Sequence, residues 1–238
     1  MELSIVAVVI DNLEVTERFI SSIRQYTSGN YELILIDNQS KDKKTINYFK
    51  KNADIYFRYK KRTDLAKAWN KGIELSKGKY IAVVNNDTVV PPNWFKPLKK
   101  TLNKNSKVGM VSPITFGLIL GKYENNNFKN FDMFKPFKCE KFKDIVWGEF
   151  CVFKKKALED VGGYCEEYKI ASGEDLEMCF QLYSKGWDVY VDPTVFLYHQ
   201  GGASQIKGIL HGKKKDKRWD ENFELFKSRW PKYTKGWT

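Results

Sequence analysis

The feature that most constrains this chain is a repeated switch in hydrophobic period. Residues 4–10 form an unbroken apolar run rich in β-branched side chains, the pattern of a strand covered on both faces. Val15, Phe19, Ile20, Ile23 and Tyr26 follow at helical spacing, with Asp11 or Asn12 available as the cap. The alternation then recurs. Residues 31–36 read as a strand, 43–52 as a polar helix and 55–59 as a strand. Leu65, Ala68, Trp69, Gly72 and Ile73 make a helical stripe capped by Thr63 or Asp64, and residues 80–84 read as a strand. Pro91 and Pro92 are expected to start a helix running through Leu98 and Leu102, with a further strand at 108–112.

Such alternation builds an α/β fold, a central, mostly parallel sheet with helices on both faces. In sheets of this kind ligands bind beyond the carboxyl ends of the strands. Two strands end in acids, at Asp37 and at Asn85-Asn86-Asp87, so both carboxylates are directed to one crevice. The pattern breaks at 114–145, read as an acceptor-side excursion; residues 122–143 hold six aromatics and six lysines. A strand is expected at 146–153, short helices at 157–161 and 174–184, then two short strands around Val189 and at 195–198 that lead to His199. With 238 residues and 42% hydrophobic content, the chain suits one domain, 1–205, with a basic aromatic tail, 206–238, packed on it. Within that tail Phe223, Phe226 and Trp230 follow helical spacing.

The formal charge is +12, and the stretch from Lys207 onward carries ten Lys or Arg against four Asp or Glu. Such a surface can meet nucleic acid, anionic lipid or a phosphorylated substrate, or can simply be solvated. No apolar run approaches the roughly 18 residues of a membrane span, and no leader pattern is seen at the N-terminus. The expectation is a cytoplasmic protein whose lysines allow peripheral contact with an anionic inner-membrane face. The four cysteines lack zinc-site spacing and are expected to be reduced.

Three clusters carry chemistry. A carboxylate beside two amides at a strand end, as in Asn85-Asn86-Asp87, suits a hard divalent ion shared with phosphate oxygens, although the same triplet makes ordinary turns. Glu174 and Asp175 open a helix, where negative charge is stabilised; they serve either as caps or as a general base at a helix mouth. His199, one of two histidines, is either a buried structural residue or a second ligand for an ion on Asp87.

Together these motifs resemble the inverting glycosyltransferases of family 2, including rhamnosyltransferase-like members, which have the GT-A (Rossmann-like, nucleotide-diphospho-sugar transferase) fold. The resemblance is carried by Ile36-Asp37-Asn38 with Ser40, by residues 66–73 (A-K-A-W-N-K-G-I), and by Val84-Asn85-Asn86-Asp87-Thr88. It continues in L-E-D-V-G-G-Y at 158–164, Gly173-Glu174-Asp175-Leu176 and Tyr198-His199. It implies a nucleotide-sugar donor, UDP- or dTDP-type favoured, a divalent cofactor (Mn²⁺ or Mg²⁺), and a glycan, lipid-linked or protein acceptor. It further implies that Asp37 accepts a hydrogen bond from the donor base and that Asn70, Asn85, Asn86 and Glu174 line the donor pocket. Asp87 and His199 would hold the metal, and Asp175 would be the catalytic base.

The chain departs from the family pattern in places. Asn85 replaces the first acid of D-x-D, Val9-Ile10-Asp11 stands where T-Y-N is frequent, and Arg62-Thr63-Asp64 stands in place of N-x-G. Two other classes compete. A nucleotidyltransferase acting on sugar phosphates would need a glycine-rich phosphate loop, and residues 9–16 contain no Gly. A non-catalytic basic nucleic-acid-binding module, with nucleic acid the less favoured partner, leaves the acids at 174 and 175 unexplained.

Overall fold

The computed structural model describes residues 1–116, 140–142, 148–170, 172–200, 217–232 and 234. Most of the 114–145 excursion, Gly201-Gly202 and the lysine-rich start of the tail lie outside the described residues, as does Trp237. Among the described residues the strands are β1 (Leu3–Val9), β2 (Tyr31–Asp37), β3 (Ile55–Arg58), β4 (Tyr80–Asn85), β5 (Thr88–Val89), β6 (Val108–Phe116), β7 (Glu140–Phe142), β8 (Phe150–Lys154) and β9 (Asp188–His199). The helices are α1 (Leu13–Tyr26), α2 (Lys43–Asn52), α3 (Leu65–Leu75), α4 (Phe95–Leu102), α5 (Lys155–Val161), α6 (Glu174–Ser184) and α7 (Lys217–Arg229). No helix among them is long and apolar enough to cross a membrane.

The strands join one sheet in the order β3-β2-β1-β4-β8-β6-β9-β5, with β7 on β9. The continuous apolar runs follow from period-two burial on both faces. Leu3, Ile5, Ala7 and Val9 of β1 face one cluster with Leu33, Leu35, Ala82 and Val84. Val6 faces the other with Ile34, Ile36, Ile81 and Val83. The helices supply the covers: Phe19, Ile20 and Ile23 of α1 with Leu98 and Leu102 of α4 on the first face, Ala68 and Trp69 of α3 with Leu158 and Cys179 on the second. Gly72 lets α3 lie directly on β1, because a Cβ there would collide with the Val6 side chain.

The sheet has two halves. From β3 through β4 every pairing is parallel, as the sequence implies. β8 then enters antiparallel to both β4 and β6, and β6 pairs parallel with β9. The carboxyl ends of β1, β2, β4, β6 and β9 therefore share one edge with the start of β8.

Three local expectations need correction. Pro91 and Pro92 stand ahead of their helix, which opens only at Phe95, because Asn93 takes a left-handed turn (φ 57°) that a helix cannot include. The two short strands expected near Val189 and 195–198 are one strand, β9. Its ladder with β6 jumps from Asp192 to Phe196, so the intervening residues, Pro193 among them, form a bulge that mimics a loop in the sequence. In the tail, α7 buries Phe226 and Asn222, while Phe223 stays 36% exposed.

Candidate active site

The crevice edge is laced together at the ends of β1 and β2. Asp11 and Asn12 both adopt left-handed backbone (φ 43° and 50°), an unfavourable conformation for side-chain-bearing residues that surrounding bonds must hold. Asp11 donates its N–H to Ser40 Oγ at 2.8 Å, and its Oδ1 accepts from the N–H groups of Lys41 and Asp42 at 2.7 and 3.2 Å. Asn38 and Thr63 exchange a reciprocal pair of 2.9 Å bonds, which ties the end of β2 to the loop before α3.

Asp37 stands where the sequence places it, at the end of β2. Its carboxylate is 0% exposed and accepts from Ser40 N–H and Tyr56 O–H, both at 2.6 Å, with Arg58 Nε at 3.2 Å. Burial and the bond to Asp37 push the Tyr56 phenol far up, so it remains a donor. The oxygens expected to read a base are thus inside the crevice wall, and Arg58 is the group that reaches the surface. Asn86 is likewise turned inward, donating from Nδ2 to Thr16 Oγ1 of α1 at 2.8 Å. Asn70 faces the turn after α5. Its Oδ1 accepts from Tyr164 N–H and its Nδ2 donates to Tyr164 O and Glu166 Oε1, all within 2.8–2.9 Å, so it clasps that turn. Asn85 is half-buried at the end of β4, and its peptide N–H bonds Glu149 O at 2.9 Å.

The remaining residues converge as expected. The β5–β9 ladder pairs Thr88 with His199, bringing His199 Nε2 to 3.1 Å from Asp87 Oδ1, with both side chains nearly buried. That spacing suits neighbouring ligands on one octahedral ion, whose bonds of about 2.1 Å separate adjacent donors by about 3.0 Å. The same 3.1 Å is a hydrogen bond between the two side chains, so the pair is compatible with a divalent metal and is held together in its absence. Burial pulls the imidazolium down, but the hydrogen bond and charge of Asp87, aided by Glu149, outweigh it and raise the His199 pKa.

Glu149 escaped the sequence reading, hidden in a stretch taken as an apolar strand; the signal was an acid interrupting that run. Its Oε1 lies 4.0 Å from His199 Nδ1, on the side of the ring opposite Asp87. Among the described residues no three His, Cys, Asp or Glu converge on a single ion, so Glu149 flanks the pair and does not complete it. Burial raises its pKa, with the charges of Asp175 and Asp87 adding.

Asp175 sits beside this group at the start of α6. Its Oδ1 accepts from Leu176 N–H at 2.8 Å and its Oδ2 from Gly148 N–H at 3.1 Å. Gly148 is required there, since a Cβ would come within 2.9 Å of Asp175 Cβ. Desolvation raises the Asp175 pKa against these two N–H bonds. Glu174 is buried more deeply, with Oε2 lacking a hydrogen-bond partner. Burial, then the charge of Asp175, push it up to about 8. At neutral pH Glu174 is largely a neutral acid, and the Asp175 carboxylate is the basic member of the pair.

A parallel sheet half with a carboxylate-bearing crevice, extended through one antiparallel strand to β6 and β9, which returns a histidine to it, defines a GT-A domain, the nucleotide-sugar transferase class. The chain belongs to glycosyl transferase family 2, whose family model matches residues 4–162. It is similar to the poly-beta-1,6-N-acetyl-D-glucosamine synthase of Staphylococcus epidermidis, 26% identical over 78% of this chain and 46% of that protein. The fold is shared with GalNAc-T7 solved with UDP, GalNAc and Mn²⁺ (TM-score 0.68, 16% identity, 84% of this chain and 44% of that one). It is also shared with a mannosyltransferase of Pyrobaculum calidifontis solved with GDP-Man and Mn²⁺ (TM-score 0.63, 16% identity, 84% and 56%). The chain spans 26% to 46% of the length of the first curated relatives it matches.

Proposed function

We propose that this chain transfers a sugar from a nucleoside-diphosphate sugar to an acceptor hydroxyl with inversion, using Asp175 as base. The observation that carries the reading is the seat of Asp175: a desolvated carboxylate with raised pKa, held by two N–H groups, one of them from Gly148, whose neighbour Glu149 lies 4.0 Å from His199. A carboxylate so placed is a stronger base than one in water. Asp175 takes the proton of the acceptor hydroxyl as its oxygen bonds the anomeric carbon from the face opposite the leaving diphosphate. The bond from that carbon to the diphosphate oxygen breaks with its electron pair, which inverts the centre. Mn²⁺ or Mg²⁺ on Asp87 and His199 would supply neutralisation of the diphosphate charge. The ligands of the related structures, a nucleoside diphosphate or nucleotide-sugar with Mn²⁺, support this division of labour. A UDP- or dTDP-type donor and a glycan, lipid-linked or protein acceptor are the favoured substrates.

The test is a panel of nucleotide-sugars with and without Mn²⁺ or Mg²⁺, read as release of nucleoside diphosphate. Metal-dependent release from one donor, lost in Asp175→Asn, is expected. Release of pyrophosphate from a nucleoside triphosphate and a sugar phosphate would instead assign nucleotidyl transfer.

A further inference from the structure

We infer that α7 is a working part of the active site, with Asn222 as a positioning residue that fixes Asp175 relative to the donor-side loops. This rests on the reading of Asp175 as base. Asn222 is 3% exposed, and its amide makes three of its four possible bonds, both donations among them. Oδ1 accepts from Lys169 N–H at 3.0 Å, and the two Nδ2 protons go to Lys169 O at 2.9 Å and Ser172 O at 2.8 Å. All three bonds end on the segment that leads into α6. A helix that only needed to pack would carry an apolar residue here, as it does at Phe226, which meets Phe180 edge-on at 5.1 Å.

The segment is strained and held from both sides. Ile170, a β-branched residue, is left-handed (φ 67°), and Gly173 is also at positive φ (92°). Opposite α7, Ile170 N–H donates to Asp64 Oδ1 at 2.8 Å, and Ile170 O accepts from Leu65 N–H at 3.0 Å. Asp64 adjoins Thr63, the partner of Asn38 at the end of β2. The β2 loop is thus tied through Thr63 and Asp64 to Ile170, four residues ahead of α6. A second tie supports it: buried Glu177, in the first turn of α6, accepts from Tyr168 O–H at 3.0 Å, Arg229 Nε at 2.9 Å and Trp230 Nε1 at 2.6 Å. Donor seat and base are therefore braced as one unit, and the brace is completed from a helix that follows both in the chain. The residues of this brace from Tyr168 onward all lie beyond the part matched by the family.

The test compares Asn222→Ala with Phe226→Leu, which weakens packing without touching the segment. For Asn222→Ala, kcat for diphosphate release is expected to fall on the order of 10–100-fold, the effect of misplacing a catalytic group by about 1 Å, with donor KM unchanged. Backbone amides of residues 172–177 should exchange hydrogen faster while those of β1, β2 and β4 do not. Phe226→Leu should lower the melting temperature and leave kcat alone. Asn222→Ser, which keeps a hydroxyl but is too short to serve both carbonyls, should fall between, and it stands in if the alanine variant does not fold. Unchanged kcat in the Asn222 variants, or an equal kcat loss in Phe226→Leu, overturns the inference. If the wild type releases diphosphate from no donor, the functional reading fails instead. Hydrogen exchange then decides the brace alone: unchanged rates at 172–177 in Asn222→Ala reject it.

Discussion

The two halves of the crevice treat their polar groups in opposite ways. On the parallel half, Asp37, Asn38, Asn86 and Asp11 are each bonded by neighbouring backbone or side chains. On the other half, Glu174 is buried and Glu149 and Asp175 are half-buried, all three have raised pKa values, and Glu174 keeps an oxygen with no hydrogen-bond partner. The first half spends its acids on holding loops in place. The second holds acids under desolvation, which is where proton transfer needs them. Carboxylates at the same crevice edge therefore differ in kind, and chain position alone does not say which is which.

Substitution can break this contrast. Asp175→Asn should lower transfer about 10²–10⁴-fold while leaving donor binding and the melting temperature intact; a clear loss of stability would place Asp175 with the structural acids. If His199 is a ligand, Glu149→Gln, which removes a charge 4.0 Å from its Nδ1, should weaken Mn²⁺ binding by up to about tenfold. Calorimetric titration of Mn²⁺ into the protein with a nucleoside diphosphate reads this directly, and unchanged affinity would leave Glu149 without that role. Asp37→Asn should do the reverse of Asp175→Asn, costing about 2 kcal/mol of stability in urea unfolding because a buried carboxylate with three partners is lost. Asn70→Ala should cost about 1 kcal/mol with donor KM unchanged; a large rise in donor KM would restore Asn70 to the donor pocket.

The smallest effect is a pH dependence. The Glu174 carboxyl titrates near 8 in the folded protein against a usual 4.5, so the folded state binds this proton more tightly than the unfolded one. Its contribution is complete below about pH 4.5 and is lost as pH rises through about 8. Glu174→Gln removes that loss. Its melting temperature should exceed the wild type by a few degrees above pH 8 and match it near pH 4.

The sequence made the parallel half of the fold legible because strands covered on both faces leave continuous apolar runs, as in 4–10, 31–36 and 80–84. The antiparallel half was harder to read. β9 is interrupted by a bulge at Pro193, and Asn93 delays α4 beyond the prolines. The pairing of Asp87 with His199 and the helix-start position of Asp175 were both readable from motif order. The direction in which an amide or carboxylate is satisfied was not. Asn70, Asn86 and Asp37 have the right chemistry at the right strand or helix, but their partners, Tyr164, Thr16 and Tyr56, lie on other elements. Glu149 and Asn222 were missed for the same reason, since each acquires meaning only from a distant segment.

The β5–β9 ladder that joins Asp87 to His199 also sets an order in time. The two residues are more than a hundred positions apart, and a ribosome adds about 5–20 residues per second. On the order of ten seconds therefore pass between emergence of the acid and emergence of its histidine. The parallel half can condense during that interval, because its strands and helices are contiguous in the chain. The histidine arrives with one of the last strands to zip into the sheet. A nascent or truncated chain can thus own a folded parallel half and still lack the Asp87–His199 pair, so capture of a divalent ion there would report that β9 has joined the sheet.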